Sequence, residues 1–143
     1  MKNHQSSKMY LFIVLTLMLT SFNASANNPL SSKDKDILDK AGVPIYSGLK
    51  FMNGITGDMI SMRFATSDNV KTLREWYRKK LPKWAVYDEY GIWILYDGKP
   101  GGGPANYMMK KNISITENTN IPQWFSMPAN MTTEVTITLP GTK

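Results

Sequence analysis

The stretch from Met59 to Trp84, MISMRFATSDNVKTLREWYRKKLPKW, constrains the fold more than any other part of this chain. Ile60, Met62 and Phe64 alternate with Ser61, Arg63 and Ala65. That is the two-residue period of a strand with one buried face. Thr66-Ser67-Asp68-Asn69 then offers a choice of N-cap oxygens, with Asp68 placed for the positive end of a helix dipole. Val70, Leu73, Tyr77 and Leu81 follow at spacings of three and four, an apolar stripe down one helical face. Arg78, Lys79 and Lys80 occupy the last turn, where cations suit the dipole, and Pro82 stops the helix. A strand, a capped helix and the start of another strand are therefore expected.

The ends of the chain set the boundaries. Lys2 and Lys8 precede an apolar run of 12 residues, Met9 to Thr20, and Ala24-Ser25-Ala26 follows with small residues. These are the three parts of a secretory signal peptide, and the run falls short of the roughly 20 apolar residues that span a bilayer. Residues 1–26 are expected to be cleaved, leaving 27–143 as one domain of 117 residues without a transmembrane segment. The product is expected in the periplasm or outside the cell. The chain has no cysteine, so the signal is not of the lipidated type. A domain of this size buries roughly two thirds of its unfolded surface and folds without disulfides. Removing Lys2 and Lys8 from the 17 basic residues leaves 15 against 11 acids, a net charge of +4. This mild excess is compatible with an anionic envelope component, though interleaved charges are ordinarily a mixed solvated surface.

Ahead of the central stretch, Ser31 or Ser32 can cap a short helix through Lys40, ended by Gly42 and Pro44. Asp34, Asp36 and Asp39 alternate with lysines and lack the glycine turn and closing Glu of a calcium loop. Leu49 to Met52 is a candidate strand, and Asn53-Gly54 with Gly57-Asp58 reads as the turn that pairs it antiparallel with Met59 to Thr66. Beyond Pro82, Trp84, Val86 and Asp88 alternate with Ala85, Tyr87 and Glu89, and Ile92, Ile94 and Tyr96 continue after Gly91, a hairpin. Asp97 to Pro104 reads as a flexible connection, Met108 to Thr116 as a strand, and Glu117 to Met131 as a loop pinned by Ile121, Trp124 and Phe125. Thr133 to Leu139 closes the chain as a strand with Val135, Ile137 and Leu139 on one face. The pattern is α+β: one antiparallel sheet, one main helix packed on one face, and a short N-terminal helix. Phe64, Trp76, Tyr77, Trp84 and Trp93 are its expected aromatic interface.

Val43-Pro-Ile-Tyr-Ser-Gly-Leu-Lys, then Phe64-Ala-Thr-Ser-Asp, then Trp76-Tyr-Arg-Lys-Lys-Leu and Trp84 together resemble a layout of small exported bacterial proteins of unassigned function. In that layout a P-x-YPG-A entry precedes a strand ending in F-x-T-x-D and a helix carrying FY-x-x-x-L. The similarity covers about Val43 to Tyr96, with Ser47 where the layout has proline and Leu49 where it has alanine. The resemblance implies no catalytic residues.

The single histidine is His4, inside the signal, so the mature chain has neither His nor Cys. This argues against Ser-His-Asp and Cys-His nucleophiles and ordinary zinc sites. Asp88 and Glu89 are adjacent and so face opposite sides of a strand, and Asp97 lies one hairpin arm away, a poor basis for a two-carboxylate hydrolase. Gly101-Gly102-Gly103 lacks the Lys-Ser/Thr signature of a phosphate loop. Met52, Met59, Met62, Met108, Met109, Met127 and Met131 could in principle bind Cu(I), but core filling is the commoner use, and no cofactor is expected. Arg74, Arg78, Lys79, Lys80 and Lys83 cluster on and after the helix. Nucleic acid is an improbable partner for an exported protein, and a solvated helix face is the ordinary alternative.

What remains is a non-enzymatic binding or accessory protein that contacts a protein or an anionic envelope component. The alternative is an inhibitor or immunity-type protein that blocks a toxic enzyme, with a carboxylate-based hydrolase third. The expected contact residues are Arg78, Lys79 and Lys80 at the helix end, with Lys99, Gly101, Gly102 and Gly103 of the loop.

Overall fold

The structure is a computed structural model that describes residues 29–141. The expected signal segment, residues 1–26, lies outside the described residues. Helix α1 (Ser32–Ala41) is capped by the Ser31 hydroxyl, which accepts from the Asp34 N–H, and ends at Gly42. Strands β1 (Lys50–Ile55) and β2 (Met59–Thr66) form the first antiparallel pair. Helix α2 (Val70–Lys80) takes Asn69 as its N-cap, the side chain accepting from the Thr72 N–H at 2.9 Å. Then come β3 (Ala85–Glu89), β4 (Ile92–Tyr96), α3 (Pro104–Met108), β5 (Asn112–Glu117), α4 (Ile121–Phe125) and β6 (Thr133–Pro140). All six strands make one antiparallel sheet in the order β1-β2-β6-β5-β4-β3. The fold is α+β with four helices among the described residues.

The alternation predicted for β2 and β6 is the alternation of the core. Met62 and Phe64 pair with Ile137 and Val135, which pair in turn with Ile113 and Ile115. These six join Trp93, Leu95, Leu38, Leu73 and Tyr77 in one buried cluster, with Trp76 and Trp84 partly buried at its margin. Arg74 reaches from α2 to donate to the Ile115 carbonyl at 3.0 Å, and its guanidinium lies over the Trp93 ring. A second cluster, Ala65, Ile121, Met127 and Met131 with Met52 and Phe125, covers one end of the opposite sheet face. A third joins Ala85, Ile94 and Tyr96 with Tyr87 and Tyr107.

Four local expectations are corrected. Asn53-Gly54 is not a turn: both residues lie in β1, paired with Arg63 and Met62, after a bulge between Phe51 and Asn53. Ladder pairing along β2 overrides the local turn preference, and the reversal falls at residues 56–58. The segment 97–104 is held rather than free, as shown below, and it leads into α3 instead of a strand that begins at Met108. Residues 117–131 contain α4, another five-residue helix. Of the three expected anchors there, Ile121 is fully buried and Phe125 half-buried, whereas Trp124 is 61% exposed.

Candidate functional site

Pro82 cannot continue α2, so the chain leaves the helix at Leu81, whose N–H still donates to the Tyr77 carbonyl at 2.8 Å. A turn follows, with the Trp84 N–H donating to the Leu81 carbonyl at 3.1 Å, and β3 starts at once. This tight exit leaves a groove of about 600 Å³ between the end of α2 and β3. Leu81, Trp84, Val86 and Leu95 supply apolar lining, Arg78, Lys79 and Glu75 the charge, and Pro100 the loop side. Two cations against one acid give the rim a basic balance.

The remaining expected contact residues separate. Gly101, Gly102 and Gly103 line a neighbouring groove of about 440 Å³ with Val86, Tyr87, Asp88, Glu89 and Tyr96. Val86 borders both grooves, so the two flank the same strand. Lys80 points elsewhere: its ammonium lies 5.6 Å from the Trp76 ring centroid, and it lines a different hollow with Asp39, Val43 and Pro44. Lys99 is exposed, and its carbonyl accepts from the Tyr96 hydroxyl and the Asn106 amide, each at 2.9 Å. Asn106 also donates to the Gly101 carbonyl, and Asp97 pairs with Lys111 at 3.0 Å. These contacts fix the loop against α3 and β4.

Residue-by-residue reading of the sequence did not assemble the groove, because its lining comes from α2, β3, β4 and the following loop. The one available signal was the Trp84–Val86 alternation, whose face proves to be the groove face. The methionines also sort by place. Met62 is in the main core, Met52, Met127 and Met131 share the second cluster, and Met108 and Met109 are exposed. Distant in sequence, the three of the second cluster converge as packing around Ile121 and Phe125. Among the described residues no group of three or more His, Cys, Asp or Glu side chains converges on a common point.

Two further polar arrangements hold the fold. The Arg63 guanidinium donates to Glu134 Oε1 at 2.7 Å, Asn118 to Oε2 at 2.6 Å, and the Thr136 hydroxyl to Oε1 at 3.3 Å. Burial pushes the Glu134 carboxyl up, but these donors and the Arg63 charge outweigh it and bring it below the usual range. The same bond to Glu134 raises Arg63, against a smaller opposing effect of burial. Elsewhere Tyr46 donates to Asp68 at 2.6 Å, and the hydrogen bond to that carboxylate raises the phenol. The Asp68 N–H donates to the Thr66 hydroxyl at 3.1 Å, and Trp76 meets Tyr46 edge-on at 5.3 Å. A Cβ on Gly48 would stand 2.8 Å from the Tyr46 ring. Tyr46, Gly48, Thr66, Asp68 and Trp76 all belong to the motif segments quoted above.

Compared with known family models, curated proteins and solved structures, the chain gives no match. A basic rim over an apolar floor is chemically complementary to an anionic group attached to an apolar body. Asp97 is engaged by Lys111, and Asp88 and Glu89 are adjacent positions on β3. No helix among the described residues is long and apolar enough to cross a membrane.

Proposed function

We propose that the protein is an exported, non-enzymatic binding module that contacts a protein or an anionic envelope component through the groove between α2 and β3. The observation that carries this reading is that Arg78 and Lys79 rim the same groove whose lining includes Leu81, Trp84, Val86 and Pro100. Charge at the rim steers an anionic partner and an apolar floor retains it. In this reading α2 is the one main helix laid on one face of the sheet, with the short α1 beside it. Export rests on Lys2, Lys8, the Met9–Thr20 run and Ala24-Ser25-Ala26, with cleavage after Ala26. The likeness to small exported bacterial proteins belongs to the same proposal. Its motif residues serve the Tyr46–Asp68 junction, a structural use that asks for no catalytic group.

The test is capture of envelope components on the immobilised protein, eluted with salt, in parallel with Arg78→Gln/Lys79→Gln and Lys80→Gln proteins. A specific component retained by the wild type and by Lys80→Gln, but lost from the double variant, supports the groove. Equal retention on all three removes it.

A further inference from the structure

The sheet has two edges, β1 and β3, and they differ. β1 is interrupted by its bulge between Phe51 and Asn53. Bulges of this kind protect an edge from further pairing. β3 pairs Ala85 to Glu89 with Tyr96 to Ile92 without any shift, and the glycine loop that stands across a groove from it makes no backbone hydrogen bond to it, so its outer donors and acceptors are left for another strand. Three exposed apolar side chains lie on this hairpin, Val86 at 36% exposure, Ile92 at 45% and Tyr90 at 92%, while Ile55 on β1 and Met108, Met109 and Trp124 are exposed elsewhere.

The edge also carries opposite charges at its two ends. Lys83 precedes it, and Arg78 and Lys79 rim the groove beside Ala85 and Val86. Asp88 and Glu89 close it at the other end. A strand that paired antiparallel with this edge would need acids opposite the basic end and bases opposite the acidic end. β3 itself, run in the opposite direction, meets that need. We propose that two copies of this chain associate through antiparallel β3–β3 pairing about a two-fold axis at Tyr87, joining their sheets. Ala85 then stands opposite Glu89 of the second copy, and Val86 opposite Asp88 of the second copy. That places the second copy's Asp88 at the Val86 border of the groove rimmed by Arg78 and Lys79. One residue beyond its Glu89, the second copy's Tyr90 comes opposite Trp84, at the apolar end of the groove formed by Leu81, Pro82 and Trp84. The two-fold axis makes every contact twice, the isologous arrangement of a closed dimer. Five paired residues and one aromatic per copy make a small interface, so the dimer is weak and concentration-dependent.

This inference rests on the reading of the groove as a contact surface and names its occupant. Sedimentation equilibrium of the purified protein from about 1 µM to about 1 mM, the range of weak association, is expected to show a monomer–dimer equilibrium. Tyr90→Gly removes an exposed ring at a position of φ 53, where glycine is favoured, so the monomer fold survives. It is expected to weaken the dimer at least about tenfold, as loss of a buried aromatic anchor does. Asp88→Lys/Glu89→Lys and Arg78→Glu/Lys79→Glu proteins should each be monomeric alone and pair when mixed one to one. A monomer at every concentration overturns the proposal, as does a dimer indifferent to Tyr90→Gly and to both charge reversals. Monomeric behaviour combined with charge-dependent capture would leave the partner-binding reading standing without the dimer. A dimer combined with charge-independent capture would do the reverse.

Discussion

The Tyr46 hydroxyl donates to the Asp68 carboxylate at 2.6 Å across 22 positions of sequence. This bond ties the entry segment before β1 to the turn where β2 passes into α2, and it sits beside the edge-on packing of Trp76 against the Tyr46 ring. Because Gly48 lies directly against that ring, the junction has no room for a side chain there.

Tyr46→Phe is therefore expected to lower the denaturation midpoint while leaving the denaturant slope unchanged, the mark of a lost native interaction rather than an altered unfolded state. Gly48→Ala is expected to do the same by pushing the Tyr46 ring off Asp68. Urea melts of the two variants and of the double variant check this. Less-than-additive losses are the expected result, since both act on one contact.

Phe64 and Leu73 are expected to cost about 2–5 kcal/mol each when cut to alanine, as buried large-to-small changes do. Phe64 is 1% and Leu73 0% exposed, one on β2 and one on α2, within the same cluster. Denaturant melts are the measurement. Losses below about 1 kcal/mol would contradict their burial.

Acid should weaken the sheet at Glu134. Its carboxyl lies below the ordinary glutamate range in the folded protein, held there by the Arg63 and Asn118 donors. A depressed group contributes stability that is present above its unfolded pKa and is lost as pH falls through the folded value. Stability is thus expected to fall as pH drops below about 4.5. Glu134→Gln should flatten that part of the profile. At neutral pH the same variant leaves Arg63 without its anion, at a cost of about 1–3 kcal/mol. Melting temperatures across the acid range, wild type against variant, read both effects.

What was legible in the sequence was what local chemistry decides. α2 carries its own cap at Asn69, its own stripe through Leu73 and Tyr77, and its own stop at Pro82. β6 alternates cleanly because Val135, Ile137 and Leu139 meet the core while Thr136 and Thr138 do not. Gly54 misled because its partner, Met62, lies across a ladder that local preference does not encode. α3 and α4, five residues each, are too short to show a helical period, although each begins with a proline in its first turn. The basic run at the helix end reads as one feature in sequence. The helical turn divides it, sending Arg78 and Lys79 to the groove and Lys80 over Trp76.

The loop beside β3 gives the last prediction. Asn106, on α3, donates to the carbonyls of Lys99 and Gly101, and so holds the glycine segment against the β3 side of the sheet. Gly102 has φ +83, and a Cβ there would come 3.2 Å from the Asn106 side chain, so both conformation and space favour glycine. Asn106→Ala removes the donor, leaving the Gly101 carbonyl to water and the Lys99 carbonyl with the Tyr96 hydroxyl alone. Because the loop is exposed, the global melt should move by no more than about 1 kcal/mol, the ordinary net contribution of an accessible hydrogen bond. Amide exchange of Gly98 and Asn106, whose N–H groups donate to the Tyr96 and Gly103 carbonyls, should instead accelerate well beyond that of β4 and β5, a local opening that leaves the core strands protected. Gly102→Ala should accelerate the same amides by strain rather than by loss of a donor. If exchange in the loop already matches that of a free coil in the wild type, the Asn106 bonds do not hold the segment, and the glycine-lined groove beside Tyr87 and Glu89 has no fixed wall.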